Sequence, residues 1–315
     1  MLPPLLYLPD GQVYYSNIYL VMIYLKGNSF CELYAKVMDA VYNHPEYECS
    51  PRGMKIKEHT NAVLELTNPY DNLFKCDDKS LTLPSAYTKK EVLLYLSGTN
   101  SAELFTKATG FWGKIANPDG TINSAYGNLI FNPSLADGRS QFDWAFDSLK
   151  ADKDSRQAFI RFNNTSHQHA GVKDLPCTFI GIFHIRENRL NFTIEMRSND
   201  IVKGLIHDEP SFTLFQQLMF LKLKEIYPEL EMGSYFHIAS SLHLYESDFD
   251  LTKRRLDFGL KPNSMPMPND WRVIKSNDVN KLIDTKIING IKGFDAKDLN
   301  VDLSANLDFY NWTLS

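Results

Sequence analysis

Cys177 stands at the mouth of two strand-like segments that would carry polar chemistry to one end. Residues 178–185 are largely apolar. Residues 190–196 alternate cleanly, with Leu190, Phe192, Ile194 and Met196 on one side and Asn191, Thr193 and Glu195 on the other. Glu187 and Asn188 between them predict a two-residue turn. In that register Arg186 faces Arg189, Thr178 faces Arg197 and Cys177 faces Ser198. A thiol, a hydroxyl and a guanidinium then converge at the open end of one hairpin. A slip of one residue changes the pairs but not the end they share. A cation beside a thiol favours the thiolate, which is the attacking form. A lone Cys is more often a small buried core residue. The neighbouring arginine and hydroxyls are what make Cys177 a candidate nucleophile.

The elements that must hold these groups are also legible. Ser29-Phe-Cys-Glu32 fits a capping box, and Leu33, Val37, Met38 and Val41 follow at helical spacing. Thr88-Lys-Lys-Glu91 is a second such pattern, ahead of apolar residues 92–96. Residues 141–149 read as a helix with Phe142, Ala145, Phe146 and Leu149 on one face. A long buried helix is expected to begin near Asp208, carrying Phe212, Phe215, Leu218, Met219 and Leu223 inward. Residues 236–244 resemble another strand, so His243 and Tyr245, two apart, share a face. Pro262, Pro266 and Pro268 mark a loop, and residues 279–283 a short helix. Residues 1–27 are rich in Tyr and partly strand-like, with no assignable role. No repeat or composition shift divides the chain, which favours one α/β domain.

Composition narrows the function. Of 315 residues, 33 are Lys or Arg and 38 are Asp or Glu, a net charge of −5. No basic excess is present to track a phosphate backbone, so broad nucleic-acid binding is not expected. The longest apolar run, residues 18–25, is far short of the roughly 20 residues of a membrane span. Met1-Leu-Pro-Pro carries no cationic stretch, so no secretory signal is expected. Cysteines at 31, 49, 76 and 177 show neither metal spacing nor a disulfide framework, which fits a reduced, cytoplasmic protein without a metal site.

An ordered series of motifs resembles one family. Leu175-Pro-Cys177, Met196-Arg-Ser-Asn-Asp200, Gly204, Asp208 and His243-Leu-Tyr245 are similar to the active-site series of thymidylate synthases and pyrimidine nucleotide hydroxymethylases. Arg197 lies 20 residues after Cys177, and Asp208 eleven after Arg197, as in that series. Glu91, in Glu-Val-Leu-Leu-Tyr-Leu-Ser-Gly-Thr-Asn100, resembles the family's catalytic glutamate. Trp112 resembles its folate-side tryptophan, and Tyr126-Gly127 its tyrosine. Asp154-Ser-Arg156 and, more weakly, Pro51-Arg52-Gly53 resemble its phosphate-binding segments. The resemblance covers roughly residues 29–250.

The resemblance implies a chemistry that can be argued physically. A pyrimidine is too weak a nucleophile at C5 to take a one-carbon unit unaided. Addition of the Cys177 thiolate at C6 makes C5 enamine-like, ready to accept that unit from 5,10-methylenetetrahydrofolate. Loss of the C5 proton and of tetrahydrofolate leaves an exocyclic methylene, which hydride turns into methyl and water into hydroxymethyl. Glu91 would move protons at the ring through ordered water, and Tyr126 would assist at C5. Arg52, Arg156 and Arg197 with Ser198 would hold the 5′-phosphate, since arginine forks match phosphate geometry. In the family two of these arginines come from the partner subunit, so Arg156 would act across a homodimer interface. Gln157 departs from the usual second arginine. His243 and Tyr245 would bind the sugar 3′-hydroxyl, and Asp200 with Trp112 and Glu91 the folate.

Asp208 bears on the substrate. Thymidylate synthases carry Asn there, whose amide donates to uracil O4 and accepts from N3–H. Cytosine inverts that edge, and a carboxyl group accepts from its amine and, when protonated, donates to N3. Asp is also a favoured helix N-cap, which is the bland alternative. Two further departures agree with the cytosine reading. Thr178 follows the nucleophile where the family usually has His, and Ile115 replaces a second Trp that would shield the methylene from water.

The expected protein is therefore an enzyme, a deoxycytidylate 5-hydroxymethyltransferase of the α/β, thymidylate synthase-like fold. That fold has a mixed sheet flanked by helices and a sheet-to-sheet homodimer. Residues 29–255 would form the catalytic domain, 1–28 an N-terminal extension and 256–315 a C-terminal one. Such enzymes typically serve phages that make modified DNA. The near alternatives are hydroxymethylation of deoxyuridylate or cytidylate, or a divergent thymidylate synthase. The alternative from another class is a nucleotide- or RNA-binding relative that has lost catalysis.

Overall fold

The computed structural model describes residues 5–7, 13–15, 22–291, 296–299 and 306–315. Most of the expected N-terminal extension, and part of the C-terminal one, lies outside the described residues, as does half of the apolar run 18–25. Within the N-terminal stretch, Leu5–Tyr7 pairs antiparallel with Val13–Tyr15.

The chain forms two compact units. One takes the described residues up to Leu83, then Thr193–Glu209 and Ser234–Ser264; the other takes Pro84–Phe192, Pro210–Gly233 and the described residues from Met265 on.

In the first unit the strands run side by side in the order Tyr24–Gly27, Ile56–Leu66, Glu231–Tyr245 and Arg189–Met196, the last two entering it by their C-terminal parts. The pairing is mixed. Tyr24–Gly27 runs parallel to Ile56–Leu66, and Glu231–Tyr245 antiparallel to it, with Tyr235 opposite Leu66 and Tyr245 opposite Ile56. A short strand, Asn199–Asp200, runs parallel to the end of Glu231–Tyr245 and places Asp200 abreast of His243. The helix Phe30–Asn43 covers this sheet with its apolar stripe of Phe30, Leu33, Val37, Met38 and Val41. Its start is as expected: Ser29 caps it by accepting from the Glu32 N–H. Glu32 reaches back to the Asn28 N–H, one residue upstream of the position a capping box requires.

In the second unit Phe159–Arg161 pairs antiparallel with Thr178–Arg186, which neighbours Arg189–Met196. The turn between the last two is Glu187-Asn188, at φ 50° and 59°. Two left-handed residues in succession are what a two-residue hairpin with the right-handed strand twist needs, and Asn tolerates that region well. Helices Ser85–Ser97, Tyr126–Phe131 and Gln141–Ala151 pack in this unit, with Leu205–Lys224 entering it from Pro210 on. Ser140 caps Gln141–Ala151, which buries Phe142, Ala145 and Leu149. Gly127 is obligatory: a Cβ there would lie 1.9 Å from the Tyr95 carbonyl oxygen.

Two helix starts differ from expectation. Ser85–Ser97 begins three residues before Thr88, directly after Pro84. Thr88 is then an interior residue, and Thr88-Lys-Lys-Glu91 is not a capping box. Leu205–Lys224 begins three residues before Asp208. Asp200 Oδ1 accepts from the Val202 and Lys203 N–H groups at 2.6 and 2.9 Å, so the chain turns ahead of the expected start. The Asp208 N–H already bonds the Gly204 carbonyl, and Asp208 is not an N-cap.

Candidate active site

In the second unit a continuous set of polar and ring contacts joins several of the expected residues. Tyr87, Glu91 and Tyr95 lie four apart on Ser85–Ser97 and share one face. Glu91 is only 5% exposed. Its Oε1 accepts from Tyr87 Oη at 2.6 Å and from Tyr95 Oη at 3.1 Å, and Ser211 Oγ lies 3.5 Å from Oε2. Burial pushes this carboxyl up to about 7, against the pull of the three hydroxyls. It is therefore poised to hold or release a proton near neutral pH.

Trp112 Nε1 donates to Tyr87 Oη at 3.0 Å, and Phe105 meets the indole edge-on at 5.3 Å. On the other side Tyr126 stacks on Tyr95 at 5.7 Å and on Phe212 at 5.8 Å. The fully buried Thr178 donates to Tyr126 Oη at 2.9 Å. Thr178 directly follows Cys177, a half-buried thiol outside any disulfide. The loop leading to it is pinned. Asn163 donates to the Pro176 carbonyl at 3.3 Å, and buried Asp174 accepts from the Ser124 N–H at 2.9 Å and from the Ser124 hydroxyl. Ser124 lies two residues before Tyr126, so Asp174 ties the segment leading to Cys177 to the one leading to Tyr126. Arg156 and Gln157 are exposed on the loop between Gln141–Ala151 and Phe159–Arg161.

The first unit holds a second set. Arg197 and Ser198 are half-buried just past Met196, where Arg197 Nη1 donates to Ser198 Oγ at 3.2 Å. Asn199 is 3% exposed, and its Nδ2 donates to Asp208 Oδ2 at 2.6 Å and to Met196 Sδ at 3.1 Å. Asp200 Oδ2 is buried with no hydrogen-bond partner among the described residues. Burial holds the Asp200 carboxyl above its usual range. Burial pushes the facing His243 imidazole down, with the Asp200 charge pulling the other way and Arg52 adding to the depression. His243 Nδ1 meets Ser241 Oγ at 3.3 Å, and Tyr245 lies edge-on to the imidazole at 5.1 Å. The two rings do share a face, as their spacing predicts. Arg52 is exposed on the turn Pro51–Gly53.

Several residues escaped the motif reading. Tyr87 and Tyr95 flank Glu91 at helical spacing, a signal present in the sequence. Asp174 had no such signal. Glu209, Tyr235 and His237, each 1% exposed, form a buried polar group in the unit that holds Asp208. Burial raises the Glu209 and Tyr235 groups well above their usual ranges and lowers His237 to about 3. Tyr235 Oη and His237 Nδ1 lie 2.9 Å apart.

Among the described residues no trio of His, Cys, Asp or Glu is placed to hold a metal ion, and no helix is long and apolar enough to cross a membrane.

The chain is 25% identical over 242 residues to a deoxyuridylate hydroxymethyltransferase of Bacillus phage SP01, a match covering 72% of this chain and 60% of that protein. It is 28% identical over 180 residues to the deoxycytidylate 5-hydroxymethyltransferase of Enterobacteria phage T4, covering 54% of this chain and 70% of that one. The enzyme of the same name from Enterobacteria phage T2 matches equally. The family model described as thymidylate synthase matches residues 33–297, most of the chain. The chain belongs to the thymidylate synthase family.

Proposed function

We propose that this chain is a deoxycytidylate 5-hydroxymethyltransferase, converting deoxycytidylate to its 5-hydroxymethyl derivative. The observation that carries the substrate reading is Asp208, an acid whose Oδ2 is held as an acceptor by Asn199. Cytosine offers an amine and a bare ring nitrogen, which a neutral carboxyl group answers with one acceptor and one donor. Uracil presents the opposite pattern and leaves polar groups unpaired, at about 1–3 kcal/mol for each. The phage relatives are named for both nucleotides, so deoxyuridylate is the rival substrate.

Each role follows from the residue's chemistry. Cys177 Sγ adds to C6 of the base. Glu91, ionising near 7, moves protons at the ring. Tyr126 assists removal of the C5 proton, with Thr178 fixing its hydroxyl. Arg52, Arg197 and Ser198 bind the 5′-phosphate, and Arg156 reaches the phosphate of the other copy in a sheet-to-sheet homodimer. His243 and Tyr245 bind the 3′-hydroxyl. Residues 29–255 would carry this chemistry, with 1–28 and 256–315 as extensions, in the cytoplasm, that of the host if the chain is phage-encoded.

Methylenetetrahydrofolate, when bound, supplies the carbon at the oxidation level of formaldehyde. The residues proposed to hold it suit a pterin. Asp200 has a buried carboxyl oxygen lacking a donor among the described residues, and a pterin edge offers N–H donors. Trp112 offers an indole face. Ile115, half-buried one turn after Trp112, leaves the reacting carbon more open to water than a second indole would.

The deciding experiment incubates the pure protein with methylenetetrahydrofolate and each of deoxycytidylate, deoxyuridylate, cytidylate and uridylate, and reads product mass. Deoxycytidylate is expected to gain a hydroxymethyl group and to be turned over fastest. A methyl product, a preference for uracil, or no turnover would each overturn the proposal.

A further inference from the structure

The two carboxyl oxygens of Glu91 have different surroundings. Oε1 receives the Tyr87 hydroxyl at 2.6 Å and the Tyr95 hydroxyl at 3.1 Å, while Oε2 faces Ser211 Oγ at 3.5 Å. An oxygen already accepting two O–H bonds, one of them short, is a poor seat for a proton, so the neutral acid carries its proton on Oε2.

The Tyr87 hydroxyl has one hydrogen, and the indole of Trp112 can only donate. The bonds therefore have one sense. Trp112 Nε1–H donates to Tyr87 Oη at 3.0 Å, and Tyr87 donates to Glu91 Oε1. Hydrogen bonds in series polarise one another, so the indole strengthens the phenol as a donor. Each member is fixed by packing. Tyr87 lies in the first turn of Ser85–Ser97, and Trp112, 8% exposed, is wedged edge-on against Phe105 and Phe111 at 5.3 and 5.5 Å.

We propose that Tyr87 is a positioning residue that couples Trp112 to Glu91, confining the carboxyl proton to Oε2 and transmitting any displacement of the indole to it. The functional meaning rests on the reading of Glu91 as the proton-transfer group and Trp112 as the folate-side ring. What packs on the indole would then be felt at the acid, so the proton moves when the second substrate is seated. The groups that set the ionisation of Glu91 are Tyr87 and Tyr95 on its own helix and Ser211 on Leu205–Lys224, besides burial itself.

The test is a carboxyl-carbon NMR titration of the full chain labelled at glutamate, without substrate, with Glu91→Gln identifying the resonance. The native midpoint is expected near the value of about 7 that burial imposes. Tyr87→Phe keeps the ring and removes a donor to the ionised form, so the midpoint should rise by about one pH unit. Trp112→Phe should raise it by less, and the double variant should match Tyr87→Phe alone, because the indole acts through the phenol. Tyr87→His, which restores a donor, should bring the midpoint back toward native. An unmoved midpoint in Tyr87→Phe, or fully additive effects of the two variants, overturns the proposal. Should Tyr87→Phe not fold, Trp112→Phe decides alone, and an unmoved midpoint there overturns it. The titration needs no turnover, so failure of the hydroxymethylation assay leaves its outcome unaffected.

Discussion

Asn199 Nδ2 donates to Asp208 Oδ2 at 2.6 Å, and the same nitrogen lies 3.1 Å from Met196 Sδ. Both neighbours are acceptors, so the nitrogen and not the oxygen of the amide belongs on that side. Oδ2 accepts there, so the Asn199 amide helps to orient the carboxyl group. Asp208→Asn replaces it with an amide, whose donor and acceptor suit uracil. The ratio of kcat/KM for deoxycytidylate over deoxyuridylate should fall at least tenfold, the effect of about 1.4 kcal/mol. An unchanged ratio, measured on the folded variant, would remove Asp208 from substrate discrimination.

Asn199 itself gives a second prediction. Asn199→Leu keeps the branched shape but withdraws the donor, so Oδ2 loses that hydrogen bond. Selectivity between the two nucleotides should drop about five- to tenfold, the worth of one hydrogen bond to a charged or polar partner. The structure should lose stability modestly, because the amide oxygen that Leu removes is already buried without a partner among the described residues. Competition between the two nucleotides in one reaction vessel reads the selectivity directly. Retained discrimination would mean that Asp208 is held by other contacts.

Glu91 should leave a mark on stability, apart from the proton-transfer role proposed for it. Its folded carboxyl is raised to about 7 from 4.5, so the folded protein holds a proton that the unfolded chain has released. The neutral acid's contribution is fully present below pH 4.5 and is lost as pH rises through 7. Across that window the shift corresponds to about 3 kcal/mol. Glu91→Gln cannot ionise and escapes this loss. Relative to the native chain, it should become more stable at pH 8 than at pH 5 by up to that amount. Urea unfolding at the two pH values measures it, and parallel curves for both proteins at both pH values would contradict it.

Much of this frame was legible because periodicity survives without tertiary information. Leu33, Val37, Met38 and Val41 announce their helix. Glu187-Asn188 sits between two runs of strand-forming residues, so the turn length followed directly. The helix starts were less legible, since a capping pattern is satisfied by residue type alone. Thr88-Lys-Lys-Glu91 has the right letters, yet Pro84 provides an earlier entry and burial claims Glu91 for another purpose. Asp208 looked like a cap for the same reason, while the true start was set by Asp200 eight residues upstream, through its bonds to the Val202 and Lys203 N–H groups. Contacts between distant segments, such as Ser124 with Asp174 or Trp112 with Tyr87, leave no local periodicity to read.

Thr178 donates to Tyr126 Oη at 2.9 Å within a fully buried setting. Because the phenol oxygen accepts there, its own hydrogen is turned away from Thr178. Thr178→Val has nearly the same shape and removes only the donor. Without it, Tyr126 can turn its hydrogen toward the vacated position, and the geometry for C5 proton removal is lost in part of the population. Stability should fall by about 1 kcal/mol, since one buried acceptor loses a partner. Release of tritium from C5-labelled nucleotide should slow by about tenfold, with KM for the nucleotide little changed, because Thr178 is not among the residues assigned to binding it. Equal losses in Thr178→Val and in Tyr126→Phe would show that the hydroxyl of Thr178 acts wholly through the tyrosine. An undiminished exchange rate would mean that the fold alone, and not this bond, orients Tyr126.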